Sequence, residues 1–280
     1  MQDQFKHCAA LVREADRDRY LAALFAPADR RDALFALYAF SAEISRVREL
    51  AREPMPGEIR LQWWREMLLG ERTGEAAAHP VAVALLETIS SHDLARERFA
   101  ALIDAHRFDI YDEPMASLAE LQAYSAATSG TIFECATRIL AGSETPPADV
   151  VLAAGQAETI ADIIEGLPRH AAHHQLYVPL GVLRHYGAEP SDVYAMHATA
   201  ELRAALAELR LRARRHLSLI AEAKISELAR PAFLSLAPLR QWLLAMERND
   251  YDPFRPPEVP QWRRQWRIWR AAKSLRRIGG

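Results

Sequence analysis

RDALFALYAFSAEISRVRE, residues 31–49, is the stretch on which the fold turns. Leu34, Leu37 with Tyr38, Ser41, Ile44 with Ser45, and Arg48 recur at helical spacing, and neither Gly nor Pro interrupts the run before Pro54. The pattern predicts one long helix over 29–51, with Asp29 able to cap its start. Ser45 and Glu49 stand four apart and so share a face.

Outward from that stretch, prolines punctuate the chain and the pattern between them stays helical. Ala, Leu, Arg and Glu dominate, and alternating β-branched runs are missing. Helices are predicted at 15–26, 29–51, 57–70, 79–91, 94–108, 117–141, 147–166, 199–229, 231–249 and 259–277, with 167–178 and 184–196 irregular. No low-complexity linker or repeat divides the chain. The expectation is a single all-α domain over 1–255 and a basic, Trp-rich helix over 256–280.

Half of the 280 residues are apolar and about a quarter charged, a globular composition. A net charge of −2 makes no overall case for nucleic acid. Cys8 and Cys135 are far apart and neither has a CxxC partner, which argues against a disulfide framework or zinc site and for a reducing compartment. The opening MQDQFKHCAALVREADRDRY has no apolar run of signal-peptide length and is acid-rich, and nowhere do eighteen apolar residues run together. A cytoplasmic location, peripheral to the inner membrane, is expected.

Further landmarks follow in order: WWRE at 63–66, HPVAVALLE at 79–87, LIDAHRFDIYDEP at 102–114, YSAATSGTIF at 124–133 and GQAETIADIIEGLPRHAAHHQLYVPL at 155–180. With 31–49 they resemble the squalene/phytoene synthase family over residues 15 to 255. The resemblance implies the isoprenoid synthase fold, helices around a central, largely apolar cavity that holds prenyl chains. It also implies Tyr38, Phe40, Tyr124, Gly130 and Tyr177 as cavity residues.

Active members of that family condense two prenyl diphosphates head to head. Aspartates on facing helices bind Mg²⁺, which bridges them to the diphosphates. The first family motif runs roughly YAFCRxxDDxxD. Tyr38, Ala39 and Phe40 match it; Ser41 and Ala42 replace the Cys and Arg, Ser45 and Arg46 the paired aspartates, and Glu49 the last aspartate. The second runs roughly GxAxQxTNILRDVxEDxxxGRxYLP. Gly155, Ala157, Tyr177 and Pro179 match it, Asp162 replaces the Asn and Glu165 the Arg, and Gly166 and His170 occupy the metal-binding aspartate positions. Pro168 predicts that the helix stops before the second of these, and Gln175 stands where an Arg meets diphosphate.

A single remaining carboxylate beside Arg46 holds Mg²⁺ weakly. The resemblance therefore implies the architecture without its catalytic centre: no catalytic residues and no cofactor. The phrasing is similar to a divergent branch of the family that includes an assembly factor for respiratory complex I. Subunits of that complex and a membrane surface are the implied partners, with no nucleic acid. One alternative is a Mg²⁺-dependent head-to-head prenyltransferase that uses the displaced acids Glu49, Asp162 and Glu165; another is a prenyl-lipid or quinone binding protein.

Glu158, Asp162 and Glu165 form an acidic stripe at i, i+4 and i+7. With Glu49 or Asp109 they are the candidate metal ligands, weighed against the favoured reading of a solvated or salt-bridged face paired with Arg46 or Arg48. His170, His173 and His174 read as an exposed loop, and the charged side of 199–229 (Arg203, Arg210, Arg212, Arg214, Arg215) as a solvated face. In the last helix Trp262, Trp266 and Trp269 share a face, with Ile268 and Leu275 near it and Arg263, Arg267 and Arg270 alongside. That composition suits a membrane surface or a partner. Equal weight goes to a Trp face packed on the domain with the arginines outward.

Overall fold

Helix signals set the elements one by one, and no strand occurs among the described residues, 2–51, 53–71, 78–111, 113–248 and 251–279 of the computed structural model. Helix α1 (Gln2–Ala15) lies ahead of the first predicted helix. It buries Cys8 and Val12 along α3 (Ala28–Ser45) and α6 (Pro80–Ser91). Asp16 caps α2 (Arg17–Ala23), its Oδ1 accepting the Arg19 backbone N–H at 2.8 Å.

Helix α3 is the spine. Residues 33–40 are all buried, so the helix is covered on every side there rather than along one stripe. Asp29 does not cap it: the N-cap is Pro27, and Asp29 sits in the first turn. The single helix expected over 29–51 is two. Arg46, with ψ near −2°, ends α3, and α4 (Val47–Leu50) leans onto α5 (Pro54–Leu69).

The segment 94–108 becomes α7 (Arg96–Ala105) and a 3₁₀ turn (His106–Ile110). That expected over 117–141 is α8 (Leu118–Ser125) and α9 (Thr131–Ala141), joined by a π-helical turn at Ala126–Gly130. A π turn lodges an extra residue in the helix, and here the Thr128 hydroxyl donates back to the Tyr124 carbonyl at 2.8 Å. Helix α10 (Ala148–Glu165) stops where expected, and α11 (Leu167–Ala172) follows at once. Pro168 is tolerated in the first turn of α11, where its missing N–H would have no partner in any case. The regions read as irregular thus hold α11, the last turn of α12 (Leu180–Tyr186) and α13 (Pro190–Tyr194).

Helix α14 (Ala200–Glu222) packs along α10. Its basic side is not wholly solvated: Arg210 is buried, its guanidinium 5.3 Å from the centre of the Tyr251 ring. The segment 231–249 is a 3₁₀ run (Arg230–Leu236) and then α15 (Leu239–Ala245). Helix α16 (Gln261–Lys273) lies on α2 and the 3₁₀ run, and α17 (Arg276–Gly279) packs on α14. Ile268, Ala271, Leu275 and Ile278 join the main core, whereas the three tail tryptophans face outward. Ile268 and Leu275 therefore lie away from the Trp face.

Two residues expected in the cavity belong to packing instead. Phe40 is fully buried, edge-on to Trp64 and Phe99 with ring centroids 5.2 and 5.6 Å away. Gly130 lies in the π turn where α10 crosses it, and Gly155 permits the crossing: a Cβ on Gly155 would lie 2.6 Å from the Gly130 nitrogen and 2.7 Å from its Cα. Both contacts are to backbone, so Gly155→Ala must separate the helices. A loss of about 1–3 kcal/mol is expected by urea denaturation.

Candidate functional site

The cavity encloses about 840 Å³ between α2, α3, α7, the 3₁₀ turn, α8, the π turn, α10 and α11. Its lining is not largely apolar. Cavity-facing positions carry Asp16 and Arg19 near and in α2, Ser41 on α3, and Glu158 and Asp162 on α10.

Arg19 organises the polar end. One guanidinium nitrogen donates to Ser41 Oγ at 3.1 Å and the other to Glu158 Oε2 at 2.5 Å, and the group lies 5.2 Å from the Tyr38 ring centre. Burial pulls its pKa down, but the carboxylates of Glu158 and Asp16 outweigh that and hold it above the ordinary arginine value. Glu158 therefore pairs with Arg19, not with Arg46 or Arg48. The carboxylate of Asp162, one turn on, accepts no protein hydrogen bond among the described residues. Water reaches it through the cavity, yet protein surrounds it, and that enclosure, with the adjacent Glu158, pushes its carboxyl well above the ordinary value of 3.8.

A second cluster closes the opposite wall. The Asp109 carboxylate accepts from Tyr177 at 2.8 Å, from Tyr124 at 2.9 Å and from His106 Nδ1 at 2.5 Å. Gln175 is buried and donates to the Asp109 backbone oxygen at 2.8 Å. Asp109 is thus occupied by three donors of its own chain and is not an open ligand. Burial, and then the Asp109 charge, hold the phenols of Tyr124 and Tyr177 well above the ordinary tyrosine value, so both stay protonated donors.

The two motif stretches meet at the rim, where Ser45, Arg46, Glu49, Gly166 and His170 all line the same cavity. Ser45 Oγ donates to the Ala42 carbonyl of its own helix at 3.3 Å. Glu49 accepts from Arg169 at 2.8 Å and has Arg46 at 3.9 Å. The His170 ring covers Gly166 and packs on Tyr177 with centroids 4.6 Å apart. Burial lowers its pKa to about 4, so it is a neutral imidazole, not part of an exposed loop; His173 and His174 are exposed as expected. Glu165 is exposed on the rim. Among the described residues no three His, Cys, Asp or Glu side chains converge as a metal-binding group.

Residues 12–270 match the profile described as squalene/phytoene synthase. The chain belongs to that family. Its relatives include rat NADH dehydrogenase (ubiquinone) complex I assembly factor 6, 25% identical over 256 residues that span 91% of this chain and 77% of that one. They include also the phytoene synthase of Arthrospira platensis, 24% identical across 94% of this chain and 90% of that one. Among solved structures, the squalene synthase HpnC of Alicyclobacillus acidocaldarius superposes with a TM-score of 0.71 at 26% identity, covering 90% and 95% of the two chains. A dehydrosqualene synthase superposes at 0.79 with 18% identity, covering 97% and 96%, a likeness of fold alone. The fold is the isoprenoid synthase fold.

Tyr38, Tyr124 and Tyr177 line the cavity together with Arg19, Asp16, Ser41 and His106, four residues that sequence reasoning did not assign to it. Arg19 lies 139 residues from Glu158, so no local spacing signals the pair.

Two measurements test these electrostatics. Arg19→Met strands the Glu158 charge and is expected to cost about 3–5 kcal/mol in denaturant unfolding, most of it recovered in Arg19→Met/Glu158→Leu. For Asp162 the folded state holds its proton more tightly than the unfolded chain does. Stability therefore falls as pH rises from 3.8 through the higher folded value. Asp162→Asn removes that slope, so its melting temperature should exceed wild type at pH 8 and the gain should shrink toward pH 4.

Proposed function

We propose that this chain is a non-catalytic member of the squalene/phytoene synthase family that acts in assembly of respiratory complex I, the NADH:ubiquinone oxidoreductase. The observation that carries the reading is the chemistry of the cavity rim. Mg²⁺ requires several hard oxygen ligands and, in diphosphate chemistry, shares the substrate's phosphate oxygens. The motif positions offer instead a hydroxyl bonded to its own helix, a guanidinium, a glycine and a neutral imidazole. The single carboxylate at the metal-binding positions, Glu49, is already held by Arg169. Deeper in, Glu158 is spoken for by Arg19. These residues do not fit a Mg²⁺–diphosphate cluster, and no ionisation step can be built on them.

The span of the match to complex I assembly factor 6, nearly the whole of this chain, supports the assembly role. Incubation with farnesyl or geranylgeranyl diphosphate and Mg²⁺ or Mn²⁺, beside an active phytoene synthase, should yield no condensed product. Turnover that Glu49→Ala abolishes would overturn the reading. Deleting the gene should lower membrane NADH:quinone oxidoreductase activity, and Glu49→Ala should restore it as well as wild type does.

A further inference from the structure

Helix α16 has two unlike sides. Ile268 and Ala271 are buried against the domain, and Arg264 on the same side donates through both Nε and Nη2 to the buried Asp18 of α2. The other side carries Trp262, Trp266 and Trp269, 63%, 47% and 49% exposed. They fall on one ridge because four and three residues separate them. The helix is therefore anchored by its smaller apolar residues and shows its largest ones to solvent, the reverse of what core packing alone selects.

The charge around the ridge has one sign. Residues 261–279 include Arg263, Arg264, Arg267, Arg270, Lys273, Arg276 and Arg277 and no acid. Only Arg264 of these pairs with a carboxylate among the described residues. Three of the others cover the exposed rings instead: Arg263 over Trp262 at 5.1 Å, Arg270 over Trp266 at 4.4 Å and Lys273 over Trp269 at 4.0 Å. These cations face outward beside apolar rings, in a chain whose net charge is only −2.

We propose that the Trp262–Trp266–Trp269 ridge and its flanking cations dock on the headgroup region of an anionic lipid bilayer. Indole rings partition to the boundary between acyl chains and headgroups, and arginine and lysine beside them meet lipid phosphates. A second copy of the chain fits poorly, because a twofold contact through this ridge would set cations against cations. No described helix is long and apolar enough to cross a membrane, so the contact is interfacial. Asp18, which anchors α16, lies two residues from Asp16 in the cavity lining, so docking holds the cavity close to the lipid surface. This surface is independent of the assembly reading and would stand if the chain turned over prenyl diphosphates.

The test is co-sedimentation of the full chain with vesicles of phosphatidylcholine alone or mixed with phosphatidylglycerol, with tryptophan emission recorded in parallel. Binding to the mixed vesicles, weakening as salt rises, and a blue shift quenched by brominated acyl chains are expected. Trp262→Ala/Trp266→Ala/Trp269→Ala alters exposed side chains only and should weaken binding by about tenfold or more with unchanged helical circular dichroism. Arg263→Gln/Arg267→Gln/Arg270→Gln/Lys273→Gln should abolish the preference for the anionic vesicles. Failure of wild type to bind them, or undiminished binding by the tryptophan variant, overturns the proposal. So does a ridge-dependent dimer in sedimentation without vesicle binding, which would assign the face to protein contacts.

Discussion

The ion pair between Arg19 and Glu158 is the contact on which the interior depends. It joins α2 to α10, and through Ser41 and the Tyr38 ring it takes in α3 as well. Two charges buried at this depth are stable only when each is paired and its remaining donors are used. Here the demand is met by a serine and an aromatic face from α3 and a glutamate from α10. The same demand explains the polar lining. Once a guanidinium occupies the end of the cavity, its neighbours must be acceptors, and the positions around it are carboxylates and hydroxyls.

Much of the fold was legible because helix periodicity and proline positions are local signals. Helix α10 ends at Glu165 and α6 begins at Pro80, each within a residue of its expectation. What escaped depends on contacts that no window of sequence contains. Helix α1 interleaves charged and amide side chains with Phe5, Cys8, Leu11 and Val12, and it is held by packing on α3 and α6. The break at Arg46 has no Gly or Pro to announce it; α4 turns because it packs on α5. Phe40 stands inside a motif that surrounds a cavity, yet its ring points into the Trp64–Phe99 cluster.

The tail helix shows the limit most sharply. Spacing establishes that the three tryptophans share a face, but not which way that face points. Hydrophobicity alone would turn it inward. The outcome is set by Arg264, whose partner Asp18 lies 246 residues away, and by the small Ala271, which permits close approach. An ion pair and a small residue fix the rotation of the helix, and the large rings are left outside.

The two motif stretches combine packing constraints with electrostatic ones. Gly155 still allows the close crossing with Gly130, and Tyr124 and Tyr177 still frame the wall through Asp109. Packing constraints of this kind act on backbone and volume, and they are indifferent to whether Ser45 or an aspartate faces the rim. Electrostatic constraints act differently. Carboxylates clustered without a metal would repel one another, and Ser45, Arg46, Gly166 and His170 add none to the rim. Arg169 and Arg46 beside Glu49 make this a rim where carboxylate and guanidinium satisfy each other. The groups that shape the cavity, Gly155, Tyr124 and Tyr177, are thus not the groups that set the charge at its rim.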